Sequence, residues 1–215
     1  MAINHQVKQG DCISSIAFEN GFFPDTIWNH PNNAALKQKR KNPNVLMPGD
    51  MVFIPDKRVK EVSEPTNQVH KFRMKNVPAK LRIQFLIQDE PRANVEYELV
   101  VNGKIVSKPG DRTDSQGFIS CALLPNAKEG MLTMTEDGIK SEYALVFGQL
   151  NPVDEITGVQ QRLYNLGNYF GTIDGKLSEE LTEAVAEFQE DYGLQANGEL
   201  NTETKNKLHS VHDFD

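Results

Sequence analysis

The sequence predicts a multidomain α+β chain. A β-α-α-β unit (1–57) is followed by a linker (58–68), a small antiparallel β-sandwich (69–150) and a bundle of three short helices (151–215). Three observations predict this order. Apolar residues recur at helical spacing in the last quarter of the 215 residues, they alternate between strand faces in the middle, and the first segment opens and closes on short strands around helical stretches. At this length the chain holds two to three small domains.

The C-terminal helices are the most sharply written. Ile156, Val159, Leu163 and Leu166 form one apolar row, and Leu181, Ala184, Val185, Phe188 and Tyr192 form a second. Gly167 and Gly193 stand where a helix leaves through a left-handed residue, and Ser178 is placed to cap the second helix. In the first segment, His5–Asp11 reads as a strand closing in a turn, with Asp11 as the N-cap of a helix whose apolar face is Ile13, Ile16 and Ala17. Pro24 suits the first position of a second helix, which carries Ile27 and Trp28 until Pro31 interrupts it. Leu46–Asp50 is a turn into the strand Met51–Pro55. In the middle segment, Leu81–Ile87, Val95–Val101 and Phe118–Leu123 read as strands, with shorter ones at Met131–Met134 and Tyr143–Phe147. Asn102-Gly103 is a two-residue hairpin signal and Asp114–Gly117 a further turn.

The C-terminal pattern Val159-Gln-Gln-Arg-Leu163, Leu166-Gly167, Asp174-Gly175, Phe188-Gln189, Gly193-Leu194 and Gly198 resembles the three-helix peptidoglycan-binding module of bacterial and phage cell-wall proteins. Gly10-Asp11 before a helix, and Leu46-Met-Pro48-Gly49-Asp50 before a strand ending Ile54-Pro55, resemble a LysM domain. That family binds N-acetylglucosamine glycans on two helices and a two-stranded sheet. The chain departs from the LysM pattern at Cys12, which replaces a hydroxyl residue, and in the long basic stretch Asn29–Asn44. Pro91, Tyr97-x-Leu99, Asn102-Gly103 and Thr113-Asp114-x-x-Gly117 resemble a transthyretin-like sandwich, usually a spacer or docking module.

Each resemblance implies ligand residues. The LysM-like groove maps to Gly10, Asp11, Cys12 and Ile13 on one side and Asn44, Val45, Leu46, Met47 and Pro48 on the other. Two readings of Ile13 and Leu46, groove or core, stand side by side. The C-terminal ligand surface maps to Tyr169, Phe170, Gly171, Asp174, Gly175 and Lys176. There Tyr169 or Phe170 is the candidate for stacking on a sugar or peptide stem, while Asp174-Gly175 is favoured as a structural turn. Trp28 reads as a sugar platform or, equally, as packing.

The net charge of −7 is concentrated at one end: +3 over 1–60, −1 over 61–150 and −9 over 151–215. An acidic end argues against nucleic acid as partner. The basic run Lys37–Lys41 is favoured as a solvated loop or helix end. No apolar run reaches the roughly twenty residues of a membrane span, so no membrane insertion is expected. The first residues lack the basic and apolar regions of a secretion leader, so the expectation is a cytoplasmic product, unless another machine delivers it to the periplasm or cell envelope. Cys12 and Cys121 are favoured as free buried thiols over a disulfide.

Catalysis is not expected, and neither metal nor cofactor. A zinc hydrolase needs about three converging ligands, and only His209-Ser-Val-His212-Asp213 clusters such residues, at an end read as a frayed, exposed helix terminus. A glycosidase needs two carboxylates across a cleft, whereas Glu179, Glu180, Glu183, Glu187, Glu190 and Asp191 fit a solvated helix face. The order of the three segments resembles small multidomain proteins of contractile injection systems, including type VI secretion spikes and phage-tail-like particles. The expected function is a non-catalytic peptidoglycan-binding accessory protein. The alternatives are a structural adaptor whose sandwich docks a secretion spike or effector and, last, a cell-wall hydrolase or toxin.

Overall fold

The computed structural model describes residues 1–57, 63, 65–69, 79–88 and 90–213. The expected linker 58–68 and the opening of the expected sandwich at 69–78 fall largely outside the described residues. Among the described residues three separate apolar cores form, one in each of the three segments read from the sequence.

The first is built on β1 (Ile3–Gln6) and β2 (Met51–Ile54), antiparallel with Ile3 opposite Ile54 and Gln6 opposite Met51. Between them lie α1 (Ile13–Asn20), α2 (Pro24–Trp28), a 3-10 turn at Pro31–Asn33 and α3 (Ala34–Arg40). Cys12, not Asp11, is the N-cap of α1: its Sγ accepts from the Ser15 N–H at 3.4 Å, and the Ser15 hydroxyl accepts from the Cys12 N–H at 3.0 Å. The thiol thus closes the reciprocal capping arrangement that a hydroxyl usually makes. Asp11 instead accepts from the Lys8 N–H and meets His5 Nε2, both at 2.9 Å. The basic stretch after Asn29 folds into the 3-10 turn and α3, one helix more than the resemblance implied. That helix buries Leu36 in the core and turns Arg40 inward, where it grips Asp50 with Nε at 2.6 Å and Nη2 at 2.9 Å. Burial pushes the Asp50 carboxyl up, but hydrogen bonds from Arg40 and the Met47 N–H bring it below its ordinary value.

The described strands of the middle segment all pair antiparallel. β3 (Ala79–Gln84) pairs with β8 (Phe118–Leu123), and β4 (Leu86–Ile87) with β5 (Glu90–Pro91). A four-stranded sheet runs β10 (Ile139–Val146), β9 (Glu129–Glu136), β6 (Glu96–Val101), β7 (Lys104–Ile105). Asn102 and Gly103 both sit at positive φ, 47° and 75°, and make the expected hairpin turn. A second hairpin was not read from the sequence: Asp137 and Gly138, at φ 50° and 79°, join β9 to β10. Both strands run past their apolar stretches, through Thr135-Glu136 and Ile139–Glu142, because that turn keeps the ladder in register. Leu99, Ile119, Leu132 and Met134 centre this core.

The last segment holds α4 (Ile156–Leu166), α5 (Glu179–Asp191) and α6 (Thr202–His212). The expected apolar rows meet around Val159, Leu163, Leu181, Val185, Phe188 and Leu208. Gly167 leaves α4 at φ 88°, and Ser178 Oγ accepts from the Leu181 N–H as the cap of α5. The C-terminal end differs from the frayed terminus expected. Arg162, only 1% exposed, donates from Nε and Nη2 to the Asp213 carboxylate at 3.1 and 2.7 Å, and His212 Nδ1 lies 2.6 Å from the same group. A buried guanidinium needs a counter-charge, and Asp213 supplies it. Burial pushes the Asp213 carboxyl up, but its hydrogen bonds to His212 and Arg162, with the Arg162 charge, hold it at about 2.

One carbonyl ties the segments together. Gln149 O accepts from Gln9 Nε2 at 3.2 Å and from Gln161 Nε2 at 2.9 Å, and Gly148 lies against the Gly10 backbone. No helix among the described residues is long and apolar enough to cross a membrane.

Candidate functional site

The two sets of sequence-predicted site residues fare differently. In the N-terminal unit, Ile13, Val45 and Leu46 are buried, Ile13 and Leu46 in its core cluster. Gly10, Asp11, Cys12 and Met47 are partly exposed, and Asn44 and Pro48 exposed. The two loops are stitched together by Ile13 N–H donating to Pro43 O at 2.9 Å and Ser14 Oγ–H to Asn44 Oδ1 at 3.3 Å. The N–H groups of Asp11, Cys12, Asn44, Val45 and Met47 also donate inside the protein, to Lys8 O, Ser15 Oγ, Asn42 Oδ1, Asn42 O and Asp50 Oδ2. A groove that holds a glycan through backbone donors has few of them left here. Trp28 is buried in the core beneath Lys37, so it offers no open platform. Cys12 and Cys121 are free thiols, and burial pushes the Cys121 thiol up.

In the helical module, the loop between α4 and α5 brings the second set together. Fully buried Gln160 on α4 organises it. Its Oε1 accepts from the Gly175 N–H at 2.8 Å, while its Nε2 faces Asp174 Oδ1 at 3.1 Å and the carbonyls of Thr172 and Lys176 at 3.3 Å. Asp174 Oδ1 also accepts from the Lys176 N–H at 3.0 Å. That backbone bond, then the one from Gln160, hold the Asp174 carboxyl below its ordinary value. Gly175 takes φ 76°, the left-handed conformation such a turn requires. Asp174 and Gly175 therefore build the loop. Lys176 leaves it exposed, its ammonium 3.5 Å from Asp174.

The adjacent aromatics separate completely. Tyr169 is 3% exposed, and its hydroxyl donates to Thr172 O at 2.9 Å. Phe170 is 79% exposed, with Ile173 (41%) and Leu177 (67%) on the same loop. The open aromatic is thus Phe170, and Ile173 and Leu177 are residues the sequence reading missed. Their signal was present: neither belongs to a helical apolar row, so neither was needed for the core. Gly171 has no room for a side chain, since a Cβ there would stand 2.5 Å from the Tyr169 hydroxyl and 2.6 Å from a Glu180 carboxylate oxygen.

Clefts elsewhere, of about 580 Å³ beside Glu19 and Asn102 and about 480 Å³ beside Ile3 and Phe22, contain none of the expected site residues. Among the described residues no group of three or more His, Cys, Asp or Glu is placed to hold a metal ion. No curated protein and no solved structure matches the chain significantly. Residues 153–208 match the family described as "Putative peptidoglycan binding domain", so the helical module that carries this loop is similar to a peptidoglycan-binding domain.

Proposed function

We propose that the chain is a non-catalytic peptidoglycan-binding accessory protein that meets the cell wall through the α4–α5 loop of its helical module. The observation that carries this reading is Phe170: an aromatic ring almost wholly in water, on a loop fixed by the buried Gln160, within the domain that matches the family. Exposing a large apolar ring on a rigid turn costs hydration, and a sugar or peptide stem laid on it recovers that cost. The expected association with a contractile injection system, with the sandwich docked on a spike or effector, rests on the resemblance of the segment order alone.

A second reading is favoured by the N-terminal unit. Apart from Gly10 and Pro48, its expected groove residues are buried or donate inward, which suits a structural adaptor more than a glycan clamp. The two readings separate in one experiment. Full-length protein is sedimented with purified peptidoglycan sacculi beside the Phe170→Ala variant and a variant carrying Asn44→Ala with Met47→Ala. Retention lost only in Phe170→Ala supports the proposal. Wild-type protein that stays folded and in the supernatant refutes wall binding and leaves the adaptor. Loss of turbidity of the suspension would refute the non-catalytic assignment.

A further inference from the structure

The helical module contains the same turn twice, and the two copies differ in a way that points to a ligand. Gln189 on α5 repeats the part of Gln160: its Oε1 accepts from the N–H groups of Asn197 and Gly198 at 2.9 Å, and its Nε2 donates to Glu199 O at 3.0 Å. Asn197-Gly198 stands for Asp174-Gly175. Three residues after each glycine comes a side chain that caps the next helix, Ser178 and Asn201. The residue before each cap is leucine. Leu200 packs on the core, as an apolar residue before a cap commonly does, whereas Leu177 points into water. The loop from α4 is also longer than the loop from α5, and the extra length carries Phe170 and Ile173. Turn architecture does not require this exposure, because the shorter copy does without it.

The second observation is chemical. The Glu180 carboxylate reaches over Gly171, the residue after Phe170, and enters no hydrogen bond or ion pair among the described residues. Glu183, one turn further along α5, is also exposed. The nearest cation on the loop, Lys176, is 3.5 Å from Asp174. An exposed aromatic next to a carboxylate with no partner suits a group that is apolar along its stem and positively charged at its tip. A neutral glycan strand has no such group. Peptidoglycan peptide stems have one wherever a diamino acid keeps its side-chain amine uncrosslinked.

We infer that the α4–α5 loop selects the peptide stem of peptidoglycan, with Phe170 and Leu177 covering its aliphatic part and Glu180 pairing with its free ammonium. The inference rests on the wall-binding reading above and names the part of the wall that is read. The acidic character of the module, −9 over 151–215, favours the same end of the stem and disfavours its carboxylates.

The test titrates the full-length protein with a soluble disaccharide-peptide whose terminal diamino acid has a free amine, and with the same molecule acetylated on that amine. Wild-type protein is expected to bind the free-amine form about tenfold tighter, a preference that weakens at high salt. Glu180→Gln is expected to remove the preference and leave the weaker affinity, whereas Phe170→Ala lowers binding of both forms. Because an acid in the first turn also supports its helix, the melting temperature of Glu180→Gln is measured alongside, and a change in binding without a change in melting is required. Equal binding of the two forms, or a preference that survives Glu180→Gln, overturns the inference while sedimentation with sacculi still upholds wall binding. Failure to bind either form with sacculi binding retained assigns the contact to the glycan strand and also overturns it. Failure to sediment with sacculi overturns both.

Discussion

The turn organised by Gln160 and the turn organised by Gln189 are two solutions to one problem. Each must reverse the chain between helices without leaving polar backbone groups unsatisfied in a small core. Each does so by burying a glutamine amide under an Asx-Gly turn and capping the next helix three residues later. The shorter turn stops there and folds its leucine inward. The longer one spends its additional residues on Phe170 and Ile173 and releases Leu177 to solvent. The difference separates scaffold from surface: what the turns share holds the module together, and what only the first has is available to a ligand.

The comparison breaks most visibly at the shared part. Gln160→Ala strands the Gly175 N–H and several loop carbonyls, and is expected to destabilise the module by about 3 kcal/mol. Gln189→Ala is expected to cost a similar amount, measured by chemical denaturation. The two part company in binding: under conditions where each variant remains folded, wall retention falls with Gln160→Ala and persists with Gln189→Ala.

Next comes the ion pair that anchors the end of α6. Asp213 is held at about 2 in the folded protein against an ordinary value of 3.8, so its carboxylate stabilises the fold fully above about pH 4. That contribution is lost as pH falls from about 4 to about 2. Asp213→Asn is expected to lower stability at neutral pH by about 2 kcal/mol, by leaving Arg162 buried without its counter-charge, and to flatten the acid limb of the stability curve. An acid limb unchanged by the substitution would show that Arg162 is satisfied elsewhere.

The leucines give the finest contrast. Leu200→Ser is expected to cost about 1–2 kcal/mol, and Leu177→Ser less than about 0.5, because only the first loses core contacts. Equal costs would mean that Leu177 packs in solution and that the exposed shelf is smaller than described.

Much of this was legible in the sequence, and the reason is periodicity. Val159, Leu163, Val185 and Phe188 fall at helical spacing, and glycines mark the helix ends, so the three helices and their core follow from local rules. Asn102-Gly103 announces its hairpin for the same reason. What was not legible depended on long-range pairing. Arg162 looks like a surface residue of an amphipathic helix until Asp213, 51 positions away, is folded onto it. Arg40 sits in a basic run that reads as solvated, and only its grip on Asp50 shows that it turns inward. At the site, the family pattern located the loop but could not tell Tyr169 from Phe170. Their sorting depends on which ring folds back onto the buried Gln160 of α4, nine residues earlier, and the spacing of apolar residues does not show that.

The most direct measurement of the central claim is a map of backbone amide shifts in the full-length protein as soluble peptidoglycan fragments are added. The account predicts that the perturbed amides fall within 168–183, while 193–201 and the N-terminal loops at 10–13 and 44–48 stay unchanged. Perturbation centred on 193–201, or confined to the N-terminal loops, would contradict it.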